Sequence, residues 1–150
     1  MSRCLVLAAC LLGAGCSGPV GGGAPPAPPE GGPAADDSLD VYETVFRYRL
    51  KQYKADVTAY LSVDGKDPPA ELLKRLRKDW PNLKPVSEEP KEKALRVYAK
   101  NLKWEQGTAV LKAGYWFPTK FAGEGYFADH HVVSNQGKWV VEKLTNETSS

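Results

Sequence analysis

The chain has 150 residues, with 20 Lys plus Arg against 18 Asp plus Glu, a formal net charge of +2. That balance argues against a polyanion binder working through bulk charge. Charged residues make up 25% and hydrophobic ones 42%, the proportions of an ordinary folded domain. The length suits one domain with extra segments, and no apolar run approaches the roughly 20 residues of a membrane-spanning helix. All three cysteines, Cys4, Cys10 and Cys16, lie at the start of the chain.

Arg3 is the only charge before Glu30. Leu5, Val6, Leu7, Ala8, Ala9, Leu11 and Leu12 form a short apolar run, followed by Gly13, Ala14, Gly15 and then Cys16. A basic start, an apolar centre of about 7–15 residues and a small-residue end describe an export signal. With a Cys directly after the small residues, the segment resembles a bacterial lipoprotein signal. That resemblance implies removal of residues 1–15 and a palmitate-type lipid on the Cys16 thiol. The family prefers Leu three residues before the Cys; here Gly13 holds that place and Leu12 is one step further away. Leu7-Ala8-Ala9-Cys10 fits the local pattern more closely, but would leave a nine-residue signal with almost no apolar core. Cys16 is therefore the expected attachment site, with Cys10 in its place if the true start lies upstream. The alternative is a plain secretion signal in which Cys16 is incidental. A lipidated Cys16 leaves no free thiol, which removes disulfides, Cys-ligated zinc and thiolate catalysis. Ser17 lacks the Asp that commonly retains Gram-negative lipoproteins at the inner membrane. The outer membrane is thus favoured, with the domain in the periplasm or on the cell surface.

Residues 17–38 contain six glycines and six prolines in 22 positions, with Val20 the only large apolar side chain. Such a stretch cannot bury enough surface to offset its ordering entropy. It reads as a disordered spacer, stiffened at its Pro pairs. Together with the lipidated Cys it makes a segment 16–38, and the folded part is about 39–150. That part carries 19 basic and 15 acidic residues once Arg3, Glu30, Asp36 and Asp37 are set aside.

Within it, 38–54 has helical spacing. Ser38 or Asp37 can cap its start, and Tyr42, Val45, Phe46, Leu50 and Tyr53 make an apolar stripe. Arg47, Arg49, Lys51 and Lys54 sit near its C-terminal end, where positive charge suits the helix dipole. Ala59–Val63 is a strand candidate, and Asp64-Gly65-Lys66 a turn. Asp67 caps a second helix with Pro68 at its first position, burying Leu72, Leu73, Leu76 and Trp80 and stopped by Pro81. A short strand is expected near Leu83–Ser87. From Ala94 the period becomes two, with strands near 94–104, 108–117, 123–134 and 138–146. Gln106-Gly107 and Asn135-Gln136-Gly137 supply turn chemistry between neighbours. The reading is an α+β domain: an N-terminal helix and a second short helix packed on a curved, four-stranded or slightly larger antiparallel meander.

The segments LSVDGKDPPAELLKRL, AKNLKWEQGTAVLKAGYWF, GEGYF and GKWVV are similar to a family of uncharacterised exported bacterial domains. The resemblance covers about residues 40–142. Its order of elements looks like the cystatin-like and nuclear-transport-factor-like folds, which host binding modules, scaffolds and a few enzymes. It supplies no catalytic residues, and function drawn from it is fold analogy alone.

Few residues here can carry chemistry. His130 and His131 are the only histidines, and on a strand they point to opposite faces. Asp129 and His131 share a face and can act as a base with its orienting carboxylate, or form a solvated polar pair. His130 shares its face with Tyr126, Ala128 and Val132 and reads as a half-buried packing residue. Asp64 and Asp67 bracket Gly65-Lys66, but the ligand series of a calcium loop is missing. Lys74, Arg75, Arg77 and Lys78 form a basic face that can dock on anionic lipid or stay solvated. Tyr115 and Phe117 share a face in an aromatic-rich stretch and are candidates for a binding patch, with core packing as the plain alternative. No cofactor or metal site is implied. Nucleic acid is disfavoured by the export signal and small net charge.

The leading expectation is a non-enzymatic, lipid-anchored envelope module that binds a protein or small ligand. The rivals are a small hydrolase or isomerase using Asp129 and His131, and a structural protein whose basic helix rests on the membrane.

Overall fold

In the computed structural model, which describes residues 35–90, 94–118 and 123–150, the chain begins with helix α1 (Ala35–Leu50). Strand β1 (Ala59–Val63), helix α2 (Ala70–Leu76) and strand β2 (Leu83–Pro85) follow, then a single 3₁₀ turn at Val86–Glu88. Four long strands complete it: β3 (Leu95–Glu105), β4 (Thr108–Pro118), β5 (Gly123–Asn135) and β6 (Lys138–Ser149). All belong to one unit spanning Gly31–Ser150. The expected signal, Cys16 and the spacer up to residue 34 lie outside the described residues. None of the described helices is long and apolar enough to cross a membrane.

α1 starts at Ala35, inside the segment read as spacer, so neither Asp37 nor Ser38 is its cap. Asp36 and Asp37 instead occupy its first turn, where the helix dipole favours negative charge. The helix ends at Leu50 rather than 54, with Arg47 and Arg49 in its last turn. Val41, Val45, Phe46 and Leu50 are fully buried. Each such aliphatic or aromatic side chain contributes about 1.5–3 kcal/mol by leaving water, and this stripe fastens α1 to the sheet.

The sheet has six strands in the order β2-β1-β3-β4-β5-β6. The predicted antiparallel meander is present as β3 to β6. β1 pairs parallel with both β2 and β3, so the sheet is mixed and half as large again as four strands. Parallel neighbours need a crossover, and α2 is that crossover between β1 and β2. It begins after Pro69, with no side-chain cap. The expected cap, Asp67, instead accepts a hydrogen bond from the Ser87 backbone N–H at 2.8 Å. Asp64 likewise reaches across the fold, accepting from the Asn101 N–H at 2.8 Å and the Tyr42 hydroxyl at 3.4 Å.

The turns follow the sequence reading. Gln106-Gly107 and Gln136-Gly137 both have positive φ at their two central residues, the geometry that matches strand twist in two-residue hairpins. Register shifts interrupt β3 between Lys100 and Lys103, and the β5–β6 pairing in two places. Asn101 and Asn146 sit at such points with φ near +59° and +51°, a region Asn tolerates better than most residues.

One sheet face carries Leu61, Val97, Ala99, Ala109, Leu111, Ala113 and Val132, all buried in one cluster with the apolar sides of α1 and α2. The opposite face presents Tyr98, Lys112, Trp116, Phe127, Asp129 and His131, all partly exposed. No described helix lies over that second face.

Candidate functional site: an aromatic cleft with a buried cation behind it

At the end of the sheet, beyond the C-terminus of α1, lies a cleft of about 540 Å³. Its lining residues include Tyr53, Tyr60, Tyr115 and Phe117, with Val57 and Leu95. Glu124 is the carboxylate among its lining residues and is exposed. The local sequence explains the placement. Tyr115 and Phe117 alternate onto the helix-facing side of β4, but α1 stops short of them, so their rings are left without a helix to cover them. Tyr53 lies just past the helix end, where its N–H bonds to the Leu50 carbonyl at 2.9 Å. Tyr53 meets Tyr115 edge-on at 6.1 Å between ring centres, and Tyr115 stacks on Tyr126 at 6.2 Å. Burial pushes the Tyr53 hydroxyl up to about 12, with Tyr115 adding to the shift. Phe117 is 44% exposed, which leaves an apolar ring open to a ligand.

Behind this wall sits Arg49. Its guanidinium carbon lies 4.4 Å from the Tyr126 ring centre and 5.6 Å from that of Tyr48. Only 6% of Arg49 is exposed, and its Nε and Nη2 have no hydrogen-bond partner among the described residues. Burying a cation without an opposite charge beside it costs several kcal/mol, and the two cation–π contacts together offset about 2–3 kcal/mol of this. His130 is fully buried beside it, edge-on to Tyr48 at 5.9 Å. Its Nδ1 donates to the Ala128 carbonyl at 3.0 Å, which leaves Nε2 as an unsatisfied acceptor. Burial and the nearby Arg49 charge lower the His130 pKa to about 4, so the ring is neutral at neutral pH.

The sequence reading did not single out Arg49. Val41, Val45 and Arg49 are four residues apart, a spacing that places Arg49 on the buried stripe. That spacing was the available signal; its position in the last turn suggested a dipole role instead. His130 occupies the predicted face, but is fully rather than half buried.

The other candidates are placed differently. Asp129 and His131 share the face turned away from the helices and hydrogen-bond to separate partners. Asn146 Nδ2 donates to Asp129 at 2.6 Å, and His131 Nε2 meets the Thr145 hydroxyl at 2.9 Å. The β5–β6 pairing therefore spreads the two residues over two cross-strand contacts. Lys74, Arg75, Arg77 and Lys78 do not form one free cationic face. Arg75 turns toward α1 and pairs with Asp40 at 2.7 Å, Glu43 at 3.3 Å and Glu71 at 3.3 Å. Those partners hold its pKa above the ordinary value. Arg77 donates to the Leu83 carbonyl at 2.8 Å, and Lys74 lies 3.7 Å from Glu71. Lys78 is exposed. Among the described residues, no group of three or more His, Cys, Asp or Glu could hold a metal ion. Comparison with protein-family models, with curated proteins and with solved structures finds no match to this chain.

Proposed function

We propose that this chain is a lipid-anchored envelope protein whose domain binds a small apolar ligand without transforming it. The observation that carries the binding part is the cleft of about 540 Å³ walled by Tyr53, Tyr60, Tyr115 and Phe117. Binding sites for small molecules are concave, mostly apolar and of this size. Aromatic walls suit a ligand with a flat or hydrocarbon body. The anchor rests on the short apolar run before Cys16, and the Gly/Pro-rich spacer would hold the domain away from the bilayer.

The binding reading is tested with N-phenyl-1-naphthylamine, a neutral apolar dye whose fluorescence rises out of water. The wild-type chain should bind it saturably. Phe117→Ser, at a position 44% exposed, should weaken binding about tenfold with little change in Tm. Absence of saturable binding, or equal binding by the variant, would sink the proposal. The anchor is tested separately by metabolic fatty-acid labelling of wild type against Cys16→Ser. Label retained by the variant would refute the choice of Cys16.

A further inference from the structure

Among the described residues, Arg49 and His130 are the basic side chains held almost wholly out of water. The two unpartnered nitrogens of Arg49, Nε and Nη2, form one edge of the guanidinium. Their N–H bonds run parallel, at the spacing of the two oxygens of a carboxylate. No carboxylate of the described residues occupies that edge. A buried cation left in this state is strongly unfavourable unless an anion completes it.

We propose that this edge of Arg49 receives the carboxylate of a small apolar acid, whose hydrocarbon body lies in the aromatic cleft. The inference rests on the binding function proposed above and names its ligand class. The layout of β5 supports it. Along the helix-facing side run Glu124, Tyr126, Ala128 and His130, each pair about 7 Å apart. Glu124 lies at the exposed mouth, and Arg49 lies against Tyr126, one step further in. An acid entering the cleft is repelled at the mouth and attracted inward, so it is oriented with its carboxylate toward Arg49. The partition is the Tyr115–Tyr126 stack. Tyr126 must swing for the guanidinium edge to be reached, and its hydroxyl is tied both to Glu147 on the edge strand and to Arg49 itself. Just inward, Ala113 pairs with Ala128, so only methyl groups line the floor at that level.

The neighbours also set the charge of the ligand. One guanidinium matches one negative charge. His130 Nε2 presents a lone pair rather than a proton, which disfavours a dianion such as phosphate.

The test titrates the full chain with octanoate and octanamide, and with 3-phenylpropionate and its amide, by calorimetry. Each acid should bind at least tenfold more tightly than its amide. Arg49→Met keeps the aliphatic stem and removes the charge. In that variant the acid should lose its advantage while N-phenyl-1-naphthylamine still binds. A second readout needs no variant: a saturating acid offsets the Arg49 charge, so the His130 ring should titrate at higher pH by NMR. Acid and amide of equal affinity, an acid preference that survives in Arg49→Met, or an unmoved His130 titration would each overturn the proposal. Dye binding without acid preference would overturn this inference alone. No binding of dye, acid or amide by wild type would overturn the cleft reading together with it.

Discussion

Replacing Arg49 by Met should make the unliganded protein more stable. The perturbation removes a cation at a position only 6% exposed, with two donors unpartnered, and keeps a flexible stem of similar reach. The penalty relieved is several kcal/mol. Against it stands the loss of two cation–π contacts, at 4.4 Å to Tyr126 and 5.6 Å to Tyr48, together about 2–3 kcal/mol. The net gain is then about 1–3 kcal/mol, within the range found when buried charges are replaced by apolar residues. For a folded unit of this size it corresponds to a rise in Tm of about 4–12 °C. Thermal and urea unfolding at pH 7 without ligand measure it, and an NMR titration should show His130 moving up from about 4, because the Arg49 charge helps to depress it. A lower Tm would refute the reasoning, since it would mean that the guanidinium is satisfied in the folded state. The trade is of a familiar kind, in which a residue that weakens the empty fold is kept for the ligand it holds.

Three further outcomes follow from the geometry. His130 is depressed to about 4 from an ordinary 6.5, so the unfolded chain binds its proton first. Stability from this residue is intact above pH 6.5 and falls by about 3 kcal/mol as pH drops to 4. His130→Phe should be flatter over that window in urea unfolding, and parallel pH profiles would contradict the buried neutral ring. At Gly114, an added Cβ would overlap the Tyr126 carbonyl oxygen and lie 2.8 Å from Phe127 Cα. Both are backbone atoms of the paired strand, so Gly114→Ala should cost about 2–3 kcal/mol; a neutral Tm would show that β4 and β5 separate easily. Asp64→Ala removes the acceptor for the Asn101 N–H and the Tyr42 hydroxyl. It should cost about 1 kcal/mol and bring the Tyr42 hydroxyl down from about 12, and an unchanged tyrosine titration would remove Asp64 as a cause of that shift.

Much of the fold was legible because it is written in local patterns. Period two after Ala94 marked β3 to β6, and positive-φ turn residues at Gln106-Gly107 and Gln136-Gly137 marked their hairpins. Leu72, Leu73 and Leu76 marked the inner side of α2. Tyr115 and Phe117, candidates for either a binding patch or core packing, share a face by their period-two spacing, and both line the cleft. Partner choice was not legible. Which strand lies beside β3 depends on a crossover that no residue type encodes, so the parallel additions of β1 and β2 were seen as strands but not as part of that sheet. Asp67 looked like a helix cap because caps are local, yet its partner Ser87 lies 20 residues away. The basic face of α2 dissolved for the same reason, because Asp40 and Glu43 belong to another helix.

Composition and periodicity therefore determined the kind of domain, most of its strands and its hairpin turns. They work at short range, where hydrophobic spacing and backbone preference act on neighbours in the chain. The tertiary structure alone decided what Arg49 is. On its helix it is one more basic residue near a C-terminus. Packed against Tyr126, Tyr48 and His130 it becomes a cation held from water with two of its donors unpartnered among the described residues. Desolvation and pairing depend on what surrounds a group in space, and only the assembled sheet and helix bring those surroundings together.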